Sequence, residues 1–165
     1  MKRIIIHWSG GTNQPSNTDY EHYHYIINGN GLKVHGKYKP EDNLDCTDGK
    51  YAKHTGGGNT GSIGVSMCGM YGYNGKPNST KYPLTKVQVE AMFKLVAELS
   101  KKYKIPIKPD TVMTHYEFGK KNPKTSSAGK IDIVFLPPYS WVTQYEVGSF
   151  VRAKVKWYLQ KINSK

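Results

Sequence analysis

The chain has 165 residues, of which 37% are hydrophobic, so it is long enough to bury a core and too apolar to be a disordered segment. No apolar stretch approaches the length of a transmembrane helix. The 24 Lys and Arg residues against 12 Asp and Glu residues give a net charge of +12. This excess favours a polyanionic partner, which could be nucleic acid, an acidic envelope polymer or an anionic membrane surface, although high charge also serves solubility alone.

The start of the chain does not have the pattern of a secretory signal peptide. Only three aliphatic residues, Ile4–Ile6, follow Lys2 and Arg3, which is too short a hydrophobic region. We therefore expect synthesis in the cytoplasm, with any extracellular target reached by another route. Cys46 and Cys68 are too few and too far apart for a cysteine zinc site, and we predict that both remain ordinary thiols.

The first predicted element is a short buried strand, Ile4–Ile6, with His7 where the strand ends. A histidine at this position is held rigidly and can face a cleft, as a metal ligand must. A hydrogen-bonded structural histidine fits the same position. The next segment, 12–21, is predicted to be a polar connection with turn and cap residues.

A β-hairpin is predicted over 23–37. Strict alternation in the segment HYHYII puts His22 and His24 on one face and Tyr23 and Tyr25 on the other. The NGNG motif that follows is a strong hairpin turn. The residues after the hairpin, 39–50, are predicted to form a loop with charges of both signs.

The glycine-rich segment Tyr51–Gly61 contains His54 and Asn59. A phosphate-binding loop would continue into Gly-Lys-Ser/Thr and a helix, whereas Ser62–Cys68 has the character of a strand. A flexible rim of a binding cleft is the better interpretation, because glycine lets the backbone approach a ligand closely.

Two helices are predicted in the second half. One covers 86–103, begins after an N-cap at Thr85 and ends before the Ile105-Pro106 pair, and the other covers 148–161. Between them, Thr111–His115 is predicted to be a short strand that ends on His115. The order of strands, hairpin and helices predicts an α/β fold with a single mixed β-sheet flanked by helices, in one domain.

Between the second short strand and the last helix, a long polar loop is predicted over 116–129. In the segment after it, Lys130 and Asp132 point the same way if the chain is extended there, since they are two residues apart.

His7, His115 and Asp132 each follow or enter an apolar element and lead into a loop, which makes them candidate ligands of one metal ion. Three nitrogen or carboxylate ligands with an open fourth position are typical of catalytic zinc. No HExxH or paired CxxC motif fixes the geometry, so spacing alone leaves His24 as a competing ligand and His54 as the next.

Five motifs, in the order IIIHWSGG, YHYIINGNG, AKHTGGGNTGSIGV, THYEFG and GKID, resemble the zinc-dependent N-acetylmuramoyl-L-alanine amidases of type 2. This superfamily includes phage lysozyme-type endolysins and peptidoglycan recognition proteins, and the resemblance covers about 3–135. It implies that a Zn²⁺ ion is bound by His7, His115 and Asp132, with Lys130 as a catalytic residue.

The resemblance also assigns groups around the metal. It implies that Tyr23 assists catalysis near the metal-bound water, that His24 lies beside the cleft, and that His54 and Asn59 border the substrate groove. Some bacterial members carry a catalytic glutamate where this chain has a serine, Ser66. That departure favours Tyr23 and leaves Glu117 as an alternative general base.

The function implied is hydrolysis of the amide bond between N-acetylmuramic acid and L-alanine in peptidoglycan. We expect a monomeric phage-type endolysin that consists of one catalytic domain over 1–165, without a cell-wall-binding module. It would act on the wall after release through a holin-like pore or after being carried there by a particle. Its charge suits an anionic envelope surface. A housekeeping recycling amidase is the nearest alternative.

Two alternatives belong to other functional classes. A non-catalytic peptidoglycan-binding protein of the same fold would typically lose the third ligand, so the presence of Asp132 argues against it. A nucleic-acid-binding protein is suggested by charge alone, and salt-sensitive DNA binding without metal would support it.

Overall fold

A computed structural model describes residues 1–165. Its strands, in chain order, are β1 (Arg3–Trp8), β2 (Tyr25–Ile27), β3 (Lys33–His35), β4 (Ser62–Met67) and β5 (Val112–Thr114). They form one five-stranded sheet in the order β3-β2-β4-β1-β5. All neighbours pair in parallel except β2 and β3, which form the predicted antiparallel hairpin.

The helices are α1 (Asn17–His22), α2 (Lys86–Tyr103), α3 (His115–Lys121) and α4 (Val147–Asn163), with 3₁₀ turns at Pro40–Leu44 and Pro137–Tyr139. The mixed sheet flanked by helices confirms the predicted fold class. α2 has the predicted bounds and begins where the Thr85 side chain accepts a hydrogen bond from Gln88 N. None of the helices combines the length and hydrophobicity that crossing a bilayer requires.

One face of the sheet carries the main hydrophobic core. Alternation along β1 sends Ile4 and Ile6 to this face, into a cluster of 26 buried residues shared with α2 and α4. Ile5 points to the opposite face and packs with Met113 and Phe118 in a cluster of only three. The next side chain on that opposite face is His7, which therefore lies where apolar packing ends.

Two segments predicted to be polar loops contain helices. α1 lies within the predicted connection, and α3 replaces the start of the loop predicted over 116–129. Both begin with a capping box, formed by Ser16 with Asp19 and by Thr114 with Glu117. These helices are only six and seven residues long, too short to show apolar periodicity, so the caps were their only signal in the sequence.

Candidate metal centre

Two histidines meet at the carboxyl end of neighbouring parallel strands. β1 and β5 pair with Ile6 opposite Thr114, so His7 and His115, the next residue in each segment, lie side by side. Their ring centroids are 4.6 Å apart, and both side chains are buried. Because parallel strands end at the same edge of a sheet, this edge collects the polar residues that follow them.

Asp132 reaches the two histidines from the loop that follows α3. Its Oδ2 lies 3.0 Å from His7 Nδ1 and 3.2 Å from His115 Nδ1. Its backbone carbonyl accepts a hydrogen bond from Tyr116 N at 2.5 Å, which ties the loop to the first turn of α3. One potential ligand atom from each of the three residues lies within 4.8 Å of the other two. The structure thus brings together the three predicted ligands.

The chemistry of this donor set fits a small divalent cation. Ser127 Oγ donates its one proton to the Gly56 carbonyl at 2.7 Å, so it accepts from His115 Nε2–H at 2.9 Å. His115 Nδ1 is then unprotonated and faces the carboxylate oxygen of Asp132, so that two lone pairs repel. Two ligands of a tetrahedral zinc ion lie about 3.3 Å apart. A cation between the two atoms would replace their repulsion with attraction.

The pKa values of these groups suit metal binding. Burial lowers the pKa of His7 to about 4, although the nearby carboxylate of Asp132 acts in the opposite direction. Burial alone would raise the pKa of Asp132, but its contacts with His115 and His7 lower it. His7 is therefore neutral and Asp132 ionised near pH 7, the protonation states that metal ligands need.

Above these residues lies a polar cleft with a volume of about 480 Å³. Asp132 and His115 line it, while His7, only 1% exposed, lies beneath them. Lys53 and Lys130 make its wall cationic. The remaining wall includes four residues that the sequence analysis did not single out as site residues, namely Trp8, Tyr51, Gly56 and Ser126.

Tyr23 lines the cleft because it ends α1 and does not belong to the strand. It is the C-cap residue of α1, and β2 begins only at Tyr25, so the alternation predicted from residue 22 does not apply to it. Its ring centroid lies 5.2 Å from that of His7. Burial, followed by the charge of Asp132, raises the pKa of its phenol, which therefore stays protonated at neutral pH.

Ser66 adds a second hydroxyl next to Tyr23. It lies opposite His7 in the register of β1 and β4 and is fully buried. Its Oγ is the one buried side-chain polar atom without a hydrogen-bond partner in the protein. The proximity of this hydroxyl slightly offsets the effect of burial on the pKa of Tyr23. The two hydroxyls are thus neighbours without hydrogen-bonding geometry.

Lys130 is exposed and lines the cleft, as its predicted role requires. The segment 130–137 is not a strand, and the backbone N of Lys130 donates to the carbonyl of Ser127 at 3.2 Å in a turn. The positive charge of Lys130 contributes to lowering the pKa of His7. The ammonium group therefore lies close enough to His7 for its charge to affect the site.

His24, which was predicted to lie beside the cleft, is a buried structural residue instead. It is 1% exposed and does not line the cleft. Its Nδ1 accepts a hydrogen bond from Gly64 N, and its Nε2 donates to Asn43 Oδ1, both at 2.9 Å. Both ring nitrogens are used inside the protein, and burial lowers the pKa of His24 to about 4.

Glu117, the predicted alternative to Tyr23, is engaged away from the cleft. Arg152 holds both of its carboxylate oxygens, at 2.9 and 3.0 Å. Its Oε1 also accepts from Thr114 N at 3.1 Å and so caps α3. Of the two candidates for proton transfer, the structure places only Tyr23 at the cleft.

His54 and Asn59 line the predicted groove, but their side chains are bonded inwards. His54 is 6% exposed and packs on Gly64, where an added Cβ would lie 2.5 Å from the imidazole. Burial holds the pKa of His54 well below its ordinary value. Asn59 Oδ1 accepts from the backbone N of Thr55 at 2.8 Å and closes the glycine-rich loop.

Two hydroxyls that contact the candidate ligands were missed from the sequence. Thr55 Oγ1 lies 3.3 Å from His7 Nε2, and Ser127 Oγ lies 2.9 Å from His115 Nε2. Adjacency to His54 was the only available signal for Thr55. Nothing in the polar stretch around Ser127 distinguished it from its neighbours.

Comparisons with known proteins show the family and the fold of this chain. The model of the N-acetylmuramoyl-L-alanine amidase family matches residues 1–129, a span that includes His7 and His115 and ends before Asp132. Among solved structures, PlyL is similar with a TM-score of 0.51 and 18% identity, over 93% of this chain and 82% of PlyL. A comparison with curated protein sequences finds no significant match.

Two further solved structures are similar at lower scores. The N-acetylmuramoyl-L-alanine amidase LysC from Clostridium intestinale URNW has a TM-score of 0.47 and 17% identity over 69% of both chains. AmiD from E. coli, in complex with anhydro-N-acetylmuramic acid-L-Ala-D-gamma-Glu-L-Lys, has a TM-score of 0.47 and 19% identity, over 70% of this chain and 48% of its own. At such identities, the similarity to PlyL shows the fold alone.

Proposed function

Since this chain belongs to the N-acetylmuramoyl-L-alanine amidase family, we propose that it is a zinc-dependent hydrolase of peptidoglycan. The bond cleaved is the amide between the lactyl group of N-acetylmuramic acid and L-alanine. The main support is the buried convergence of His7, His115 and Asp132 below a polar cleft, with ligand atoms within 4.8 Å of one another.

The three residues match the needs of catalytic zinc in number, and His7 and Asp132 also match them in protonation. Three protein ligands are typical of catalytic zinc, whereas structural sites usually have four. Zinc held there would supply Lewis-acid polarisation of the amide carbonyl and lower the pKa of water from 15.7 to about 7. Ser127 keeps the Nδ1 of His115 free for the metal by accepting a hydrogen bond from Nε2.

Tyr23 is the residue that moves or orients the proton in this proposal. Its raised pKa keeps the phenol protonated, so its O–H can donate to the leaving amide nitrogen and its oxygen can orient the attacking water. Glu117 is unsuited to this role because Arg152 holds its carboxylate. The buried hydroxyl of Ser66 lies beside the phenol.

Lys130 stabilises the charge that develops on the amide carbonyl oxygen. Its ammonium group is exposed at the cleft and near the ligands, so it can approach that oxygen without disturbing the buried centre. One well-placed donor to such an oxyanion contributes about 3–4 kcal/mol, or roughly 10²–10³ in rate.

The cleft suits an anionic glycopeptide. Tyr51 offers an apolar ring face for sugar or peptide, and Lys53 and Lys130 offer positive charge for peptide carboxylates. The net charge of +12 would draw the protein to an anionic envelope surface. We propose that it is a phage-type endolysin that acts as a monomer on the cell wall.

The proposal is tested by incubating the purified protein with peptidoglycan before chelation, after chelation and after zinc is restored. We expect new L-alanine amino termini that disappear with chelator and return with zinc. New reducing ends would instead indicate a glycosidase, and binding without new termini would indicate a non-catalytic receptor. Asp132→Ala should lose both metal and turnover, whereas the exposed control Asp110→Ala should keep both.

A further inference from the structure

We propose that His54 is a positioning residue that holds His7 in the tautomer that binds metal. This role rests on the proposed zinc site and replaces the contact with substrate predicted for His54. The interior hydrogen bonds of its ring carry the inference, because each bond fixes which atom holds the proton.

The series of hydrogen bonds that fixes these proton positions starts at a backbone carbonyl. His54 Nε2 lies 3.2 Å from the carbonyl oxygen of Ser62, which can only accept, so the neutral imidazole carries its proton on Nε2. Its Nδ1 is therefore an acceptor. Ser62 pairs with Arg3 at the start of β4, so this anchor belongs to the sheet and does not rotate as a side chain would.

Two groups donate to His54 Nδ1. Thr55 Oγ1 lies 2.7 Å away and His7 Nε2 lies 3.2 Å away. Thr55 Oγ1 is also 3.3 Å from His7 Nε2, so it donates to His54 while accepting from His7. In both contacts the proton of His7 lies on Nε2. Neutral His7 then presents an unprotonated Nδ1 to Asp132, the form in which it can bind a metal.

Without His54, the neighbouring carboxylate would favour the other tautomer. His7 Nδ1 lies 3.0 Å from Asp132 Oδ2, and an imidazole N–H that donates to a carboxylate forms a strong, charge-assisted hydrogen bond. That bond would place a proton at the atom that binds metal, and the proton would have to leave before zinc could enter. His54 opposes this tautomer by accepting from Nε2.

The fold makes specific room for His54. Its imidazole packs on Gly64 of β4, and a Cβ added there would lie 2.5 Å from His54 Cγ. The residue is only 6% exposed, and its ring centroid lies 5.2 Å from that of His7 and 5.5 Å from that of His24. A ring enclosed in this way keeps one orientation, as a tautomer-fixing role requires.

The test uses two substitutions of His54 and one control. His54→Leu removes the acceptor, whereas His54→Asn places an amide oxygen near the position of Nδ1. His24→Leu is the control, because it removes an equally buried imidazole without contact to His7. Zinc affinity is measured by competition with a chromophoric chelator, and the His7 tautomer of the metal-free protein by long-range ¹H–¹⁵N NMR.

We expect metal-free wild-type His7 to carry its proton on Nε2, and to shift toward Nδ1–H in His54→Leu. Loss of such an outer partner costs about 10- to 100-fold in metal affinity, which we expect for His54→Leu. His54→Asn should recover most of that loss, and His24→Leu should lower stability without changing zinc affinity.

The two proposals fail in distinguishable ways. Wild-type protein that binds no zinc, or that binds it equally well after Asp132→Asn, would overturn the proposed function. Wild-type protein that binds zinc through Asp132, but with metal-free His7 already protonated on Nδ1, would overturn only the role of His54. Unchanged zinc affinity in His54→Leu would do the same.

Discussion

Replacing Asp132 with asparagine should separate metal binding from folding. The substitution removes one charge and one ligand at almost constant volume. In the metal-free protein, the new amide could donate to the unprotonated Nδ1 of His115, which lies 3.2 Å from the oxygen that it replaces. A hydrogen bond worth about 1 kcal/mol would then replace two facing lone pairs. We therefore expect metal-free Asp132→Asn to be at least as stable as the wild type.

With zinc bound, the wild type should instead be more stable than Asp132→Asn. At a free concentration of about 1,000 times Kd, a ligand stabilises the folded state by about 4.1 kcal/mol. For a chain of this size, 1 kcal/mol corresponds to roughly 2–4 °C in Tm, so the wild-type Tm should rise by roughly 8–16 °C. Asp132→Asn lacks the charged ligand, and we expect its Tm to rise by less than roughly 4 °C.

The assay is thermal unfolding at pH 7, with chelator or with buffered free zinc, for the wild type, Asp132→Asn and the exposed control Asp110→Asn. The control should match the wild type under both conditions. A full zinc-induced rise in Asp132→Asn would show that the ion is held elsewhere. Severe destabilisation of the metal-free variant would show that Asp132 pairs with a protonated imidazole, which contradicts the proposed tautomers.

Three other measurements examine the roles assigned to single groups. Lys130→Met should keep the zinc-induced rise in Tm and lose about 10²–10³ in kcat, and loss of that rise would point to a role in metal binding instead. Tyr23→Phe should also keep zinc and lose about 10²-fold or more in kcat, whereas normal turnover would assign the proton transfer to another group. The metal-free protein should lose stability as pH falls from about 6.5 to about 4. The pKa of His24 is lowered to about 4 in the folded state, so over this range His24 binds a proton in the unfolded state but not in the folded state. One such histidine accounts for about 3 kcal/mol by pH 4, measured by urea unfolding with chelator, and His24→Asn should reduce this dependence without abolishing it, because His7 and His54 also have lowered pKa values.

The two histidine ligands could be predicted because each directly follows a short apolar segment of the sequence. His7 follows three isoleucines and His115 follows the VMT segment, so their positions depend on a local pattern. Asp132 lies in a loop without such a pattern, so its candidacy from position alone was weaker, and the resemblance to known amidases strengthened it. Its position depends on how this loop folds back onto the first turn of α3, which local sequence does not report.

His24 shows where a strand pattern fails. Alternation correctly predicts that His24 shares the face of Ile26 and of the candidate metal centre. It cannot predict what covers that face, and here Asn43, which comes 19 residues later, closes over the imidazole. A position on the correct face is therefore insufficient evidence for access to the cleft.

The missed helices have a different cause. α3 begins with the sequence THYE, which matches the Ser/Thr-x-x-Glu pattern of a capping box, so the signal was present. α1 begins with Ser16 and Asp19, a weaker form of the same pattern. Both helices lie in polar segments whose composition favours a loop. Only the capping residues indicate a helix there.

β4 explains how a strand without any candidate ligand shapes the metal centre. Its sequence alternates Ser62, Gly64 and Ser66 with apolar residues, and alternation of this kind normally indicates one face in water. Here every residue of the strand is buried, so the residues that alternate with the apolar ones must make their contacts inside the protein.

Ser62, Gly64 and Ser66 of β4 each support a different part of the site. The Ser62 carbonyl anchors His54, Gly64 admits that ring and donates its N–H to His24, and Ser66 places a hydroxyl beside Tyr23. The apolar positions of the same strand belong to the main core. Substitutions on the two faces of β4 should therefore have different effects. Those on the core face should change the stability of the fold, and those on the other face should change how the histidines and Tyr23 are held.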